Sequence, residues 1–185
     1  TSSVTHHCLL PTAGGRAVAT GSNSAGCPTP DAAERPVDAW RFEHRVTQDA
    51  QGAAIGPFTR TWFDRAGRVL RVATESFDGP QQPGGVLLVV QDSVFDAHGL
   101  PVLKTQPYFL ATGNTGTAGG GVALTATRHD LLGRPVAVSV TDPSGPQRVD
   151  FGGYGQRQAA VTTIEYRGLA ITTIDALGGR RVEEK

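Results

Sequence analysis

"RHDLLGRPVAVSVTDPSG", residues 128–145, holds one four-residue frame twice, Asp130 to Gly133 and Asp142 to Gly145. Between them Val136, Val138 and Val140 alternate with other residues. The frame recurs along the chain. Of the eleven Asp, seven (Asp49, Asp64, Asp96, Asp130, Asp142, Asp150 and Asp175) are followed by Gly at the third position, where 24 Gly in 185 residues would give roughly one or two by chance.

Asp-x-x-Gly is a turn signal with a mechanism. Asp at the first position of a type I turn can accept backbone N–H groups on its carboxylate, and Gly at the fourth can take a positive φ. Together they return the chain as an antiparallel strand. "DPSG" adds Pro at the second position, where its fixed φ suits the turn.

The segments between the turns read as strands. Trp40, Phe42, His44 and Val46 alternate with Arg41, Glu43, Arg45 and Thr47, the period of a half-buried strand. Thr59 to Phe63 precede Asp64, and Arg68 to Thr74 follow Gly67. "VLLVVQDSVF" precedes Asp96, and "LPVLKT" follows Gly99. "VTTIEY" runs to Arg167 and Gly168, and "LAITTI" from there to Asp175. No stretch holds a helical period for three turns. The expected fold is all-β, an antiparallel meander of hairpins with under about a tenth of residues in helix.

Residues 1–39, rich in Ser, Gly, Ala and Pro, read as a largely irregular N-terminal segment with one short strand at Arg16 to Thr20; the repeat sheet is expected over 40–185. "QQPGG" (81–85) and "ATGNTGTAGGG" (111–121) read as loops. Neither has the strand, Lys-Ser/Thr ending and helix that a phosphate loop needs.

Composition excludes several classes. Seventeen basic and seventeen acidic residues cancel, so neither nucleic acid nor an anionic membrane is favoured as a partner. The longest aliphatic run, Val86 to Val90, is too short to span a bilayer. No charged-then-apolar signal opens the chain and no Met occurs in it, so a chain cut or processed from a longer polypeptide is expected. Cys8 and Cys27 are the only cysteines. Free thiols, a loop-closing disulfide and a metal pair with "HHC" all remain open, though nothing nearby has zinc-ligand spacing.

The turns carry a resemblance. "WFDRAGRVLRV" (62–72), "VFDAHGLPVLK" (94–104), "RHDLLGRPVAV" (128–138) and "TIDALGGRRVE" (173–183) resemble tyrosine-aspartate (YD) or Rhs repeats, whose signature is aromatic-Asp-x-x-Gly-Arg-x-x-x-Val. "ATESFDG" (73–79), "QPYFLATG" (106–113) and "IEYRGLAITTIDALG" (164–178) are similar to the Rhs section of the B component of bacterial insecticidal toxin complexes and its salmonella-virulence-plasmid-B-like relatives. Phe63, Phe95, His129 and Ile174 stand where the family has Tyr, and Leu100 and Gly179 where it has Arg.

The resemblance implies a non-catalytic wall segment. Such repeats wind a long sheet into a hollow shell around a toxin or effector domain of a larger secreted bacterial protein. The implied partners are the remaining repeats, the enclosed domain and other toxin-complex subunits, with no cofactor and no membrane insertion. The family's autoproteolytic aspartate site has no counterpart here. "DALGGRRVEEK" lacks its Asp-Pro-x-Gly-Leu context, and Pro146 follows "DPSG" where Leu is needed. Asp64, Gly67, Asp96, Gly99, Asp130, Gly133, Asp142, Gly145, Asp175 and Gly178 are accordingly expected to form turns, with no catalytic or metal-binding residue among them.

The alternative is a stand-alone β-sheet module that binds glycan or a partner protein, with Trp40, Trp62, Tyr108, Tyr154 and Tyr166 as an aromatic platform. An enzyme would instead use some of the Asp as acids or bases. His6, His7, His44, His98 and His129 are scattered, without a serine elbow or a helical metal motif beside them.

Overall fold

A computed structural model describes residues 1–10, 26–30, 34–76, 88–110, 122–141, 147–148, 156–157 and 159–185. Asp142, Gly145, Asp150, Tyr154, the expected strand at Arg16 to Thr20 and the two glycine loops lie outside these residues. Among the described residues there are strands and no helices.

The strands are β1 (Ser2–Leu9), β2 (Arg41–Gln48), β3 (Thr59–Phe63), β4 (Val69–Glu75), β5 (Leu88–Phe95), β6 (Pro101–Thr105), β7 (Tyr108–Leu110), β8 (Leu124–His129), β9 (Pro135–Thr141), β10 (Gln147–Arg148), β11 (Gln156–Arg157), β12 (Ala159–Arg167), β13 (Ala170–Ile174) and β14 (Arg180–Glu184). Twelve of them form one antiparallel meander in the order β1-β2-β3-β4-β5-β6-β8-β9-β12-β13-β14, with β7 beside β5; β10 and β11 pair separately. The expected strands that fall within the described residues therefore occur, joined antiparallel as the turn pattern requires.

The chain divides into two compact units, residues 1–92 with 107–117, and residues 93–106 with 118–185. In the first, one sheet face carries Cys8, Phe42 and Trp62 as register neighbours across β1, β2 and β3. Leu10 and Ala39 complete this cluster, with Cys27 and Leu70 packed against it. Trp62 is 0% exposed, its ring 4.8 Å from that of Phe42. A second cluster joins Ala73, Leu88, Val90 and Leu110. These are the inward residues of alternating strands, and their burial drives the sheet together.

The N-terminal reading needs one correction. Residues 1–39 were expected to be largely irregular, yet Ser2–Leu9 pairs with β2 along its whole length. Val4, His6 and Cys8 alternate with more exposed Ser3, Thr5 and His7, but so polar a composition hides the period. Cys8 and Cys27 form a disulfide.

In the second unit the buried face is small and polar. Leu103, Leu124 and Ala137 are accompanied by buried Thr105, Ser139, Thr141 and Thr172. Thr141 Oγ accepts the Leu124 N–H at 2.9 Å and donates to the Leu124 carbonyl at 3.1 Å, so its hydroxyl is satisfied within the sheet.

Candidate functional site

Five of the Asp-x-x-Gly frames fold alike. At Asp49, Asp64, Asp96, Asp130 and Asp175 the Asp carbonyl accepts the N–H of the Gly three residues on, at 3.0–3.2 Å. The Asp N–H donates to the carbonyl four residues on. The N–H of that same residue turns to the Asp carboxylate, at 2.7–2.9 Å. One carboxylate oxygen thereby ties down a donor that the Asp carbonyl, already bonded to Gly, leaves free. Gly52, Gly67, Gly99, Gly133 and Gly178 all have φ between +77° and +86°, the left-handed conformation that L side chains resist.

Three hairpins share a further detail. After the Asp64, Asp96 and Asp130 turns the register shifts by one residue, a β-bulge that falls at Leu70, Val102 and Val136. The Asp175 hairpin keeps its register, and there Arg181 occupies the equivalent position.

The carboxylates are spent on this work. At Asp64 burial opposes ionisation, but N–H groups of Arg68 and Ala66 and the Arg68 guanidinium hold the pKa below the usual range. At Asp96 the Leu100 N–H does the same, helped by the His98 N–H and by the charges of His98 and His129. At Asp130 the Arg134 N–H leads, joined by its guanidinium and the Leu132 N–H. An Asp held in this way has no proton to give near neutral pH.

In the second unit the turns at Asp96 and Asp130 lie at the same end of the sheet, because β8 runs parallel to β5 across the intervening β6. A groove of about 890 Å³ opens beside them, lined by Val94, Leu100, Leu103 and Ala126 with His98 and His129 among its polar groups. The structure thus brings Asp96, Asp130 and Gly133 to one site. Next along the sheet, the Tyr166 hydroxyl donates to the Pro135 carbonyl at 3.0 Å, and the Arg134 guanidinium lies 4.3 Å from the Tyr166 ring centre. The β12–β13 turn is of the two-residue kind, with Gly168 at φ +61°.

The first unit holds a buried polar network that the sequence reading missed. Arg71 is 1% exposed and forks onto both Asp92 oxygens; it also donates to the Glu34 carbonyl at 3.0 Å. Tyr108 donates to Asp92 at 2.7 Å, and Arg60 pairs with the Glu34 carboxylate. Burial opposes the Arg71 charge, but Asp92 more than offsets this and the pKa is raised. Burial, reinforced by the hydrogen bond to the Asp92 carboxylate, pushes the Tyr108 phenol well above its ordinary value. Two acids and two bases neutralise one another, and Glu34 binds the segment before β2 to the sheet face.

The aromatic residues are divided among these roles. Trp62 is core, Tyr108 belongs to the polar network and Tyr166 to the turn end; Trp40 is partly buried with the Arg65 guanidinium 4.7 Å from its ring centre. Among the described residues no group of three His, Cys, Asp or Glu could hold a metal ion. Comparison with protein-family models, with curated proteins and with solved structures finds no match.

Proposed function

We propose that this chain is a non-catalytic wall segment of a YD/Rhs-type repeat shell, which in a larger secreted bacterial protein encloses a toxin or effector domain. The observation that carries the reading is the repetition of one hairpin turn at five positions of a single antiparallel meander, each Asp carboxylate bonded to the backbone of its own turn. A sheet built this way grows by adding hairpins. Its partners in this reading are the neighbouring repeats, the enclosed domain and other toxin-complex subunits. The Cys8–Cys27 disulfide favours an oxidising compartment, in keeping with secretion.

The test is limited proteolysis of the longer polypeptide containing this segment. The enclosed domain should resist digestion, and the pair Asp96→Ala and Asp130→Ala, which removes two turn locks, should expose it. Equal digestion of that domain with and without the wall overturns the reading.

The groove beside Asp96 and Asp130 supports a second reading, a binding or adhesion module. That reading expects a glycan or partner protein to bind the 185-residue chain and to be lost with Leu100→Glu while the circular dichroism spectrum is unchanged.

A further inference from the structure

Across β1, β2 and β3 one row of register partners runs His6, His44, Arg60. The two imidazoles stack with ring centres 6.2 Å apart. The Phe58 ring lies against His44 at 5.2 Å and against the Arg60 guanidinium at 4.2 Å. The segment before β2 closes on both ends of this row. Gly26 sits on the His6 ring, where a Cβ would come within 2.5 Å of it, and Glu34 pairs with Arg60. His44 is enclosed between two neighbours that the segment itself holds.

The row has no place for a further cation. The ionisable groups facing His44 are His6 from β1 and Arg60 from β3, and the Glu34 carboxylate from the segment is taken up by Arg60. Glu43 and Arg45 lie on the opposite face of β2. His44 Nδ1 and Arg60 Nε are buried without a hydrogen-bond partner, so an imidazolium would carry an N–H there with no acceptor. Burial and the charges of Arg60 and His6 hold the His44 pKa at about 4, against 6.5. A conformation that hydrates the ring therefore gains on the closed one as the pH falls below 6.5. With solvent screening the gain is about fivefold between pH 7 and pH 5.

The element most easily lifted is residues 34–39. Glu34 and Ala39 are buried, but Val37 and Asp38 are exposed, and Glu34 reaches the sheet through Arg60 and, by its carbonyl, Arg71. So few buried groups mark a segment of low local stability, whereas β1, β2 and β3 are joined by continuous ladders. Lifting Glu34 lets the Arg60 guanidinium turn toward water, away from His44.

We infer that residues 34–39 form an acid-released strap: protonation of His44 drives the Glu34 end off the sheet face and uncovers the Phe42–Trp62 cluster, while the Cys8–Cys27 disulfide keeps the preceding residues tethered. The inference rests on the geometry of the first unit and not on the shell reading.

Hydrogen exchange of the full 185-residue chain tests it, corrected for the intrinsic pH dependence of exchange. The Ala39 amide, bonded to the Pro36 carbonyl, and the buried Trp62 indole N–H are the reporters. Protection of both should fall about fivefold from pH 7 to pH 5, with little response to low urea, because the opening is local. The β2–β3 ladder amides should exchange more slowly and with the urea dependence of global unfolding. Two neutral replacements, His44→Phe and His44→Gln, should each make Ala39 protection equal at the two pH values, and Glu34→Gln should lower it at both. Ala39 protection that ignores pH, a fall that persists in the His44 variants, or Ala39 exchange that matches the ladder amides in rate and urea dependence each overturns the inference.

Discussion

Arg71 and Asp92, register partners on β4 and β5, form a two-pronged ion pair in the interior of the first unit, with Nε 2.6 Å and Nη2 2.8 Å from the two carboxylate oxygens. Tyr108 adds a third hydrogen bond to the same carboxylate. Such a pair is dangerous to halve, because the surviving charge stays buried without its partner.

Asp92→Ala should therefore destabilise the protein by about 3–5 kcal/mol in a denaturant titration. Tyr108→Phe leaves the ion pair intact and should lose only about 1 kcal/mol. Similar losses from the two variants would show that the pair is solvated and not part of the interior.

The contrast between this network and the turns marks what could be read in advance. Asp130 and Gly133 announce their turn because both partners of the key hydrogen bond lie within five residues. The strand alternation at Phe42 and Val46 is equally local. Arg71 and Asp92 are 21 residues apart and Glu34 lies 37 from Arg71, so only the assembled register brings them together. β1 was missed for a related reason. Its pattern of Ser, Thr and His becomes a half-buried strand once Phe42 is there to pair with Cys8. The groove beside Leu100 likewise needs two hairpins to exist before it can be seen.

His44 gives the stability a pH dependence above the carboxylate range. Burial, then the charges of Arg60 and His6, lower its pKa from 6.5 to about 4. The folded state keeps the ring neutral where the unfolded chain would protonate it. Its contribution is full above pH 6.5 and is lost progressively as the pH falls toward 4. With solvent screening the loss between pH 7 and pH 5 should be about 1 kcal/mol, and His44→Phe should abolish it. Denaturant titrations at the two pH values check this. A further loss, below the ordinary carboxylate range, should follow as Asp64, Asp96 and Asp130 accept protons, since their folded pKa values are the lower ones.

Gly133 separates backbone strain from crowding. A Cβ there would sit 3.5 Å from Leu100 Cδ1, an ordinary contact, but φ is +77°. Gly133→Val should lower stability by about 1–2 kcal/mol, because a β-branched residue resists that conformation. Gly56 has open space and no positive φ, so Gly56→Val should leave the melting temperature nearly unchanged. Equal shifts for the two variants would mean that the Asp130 turn tolerates another conformation.

The disulfide and the Glu34 ion pair hold the same segment, and they should be separable. Cys8–Cys27 spans a sequence separation of 19 and ties the half-buried Cys27 to the buried end of β1. Closing a loop of that length is worth about 3 kcal/mol through the entropy of the unfolded chain. Glu34 acts further along, pairing with Arg60 on β3 and offering its carbonyl to Arg71 on β4. With both cysteines replaced by Ala, the protein should lose about 3 kcal/mol and still fold, because the Glu34 contacts do not depend on the bridge. Glu34→Gln in the oxidised protein leaves the Arg60 charge without its partner while the disulfide still holds Cys27 in place. That variant should raise hydrogen exchange around residues 34–40 and leave the β1–β2 amides protected. Loss of β1–β2 protection in Glu34→Gln would show that the two anchors act as one.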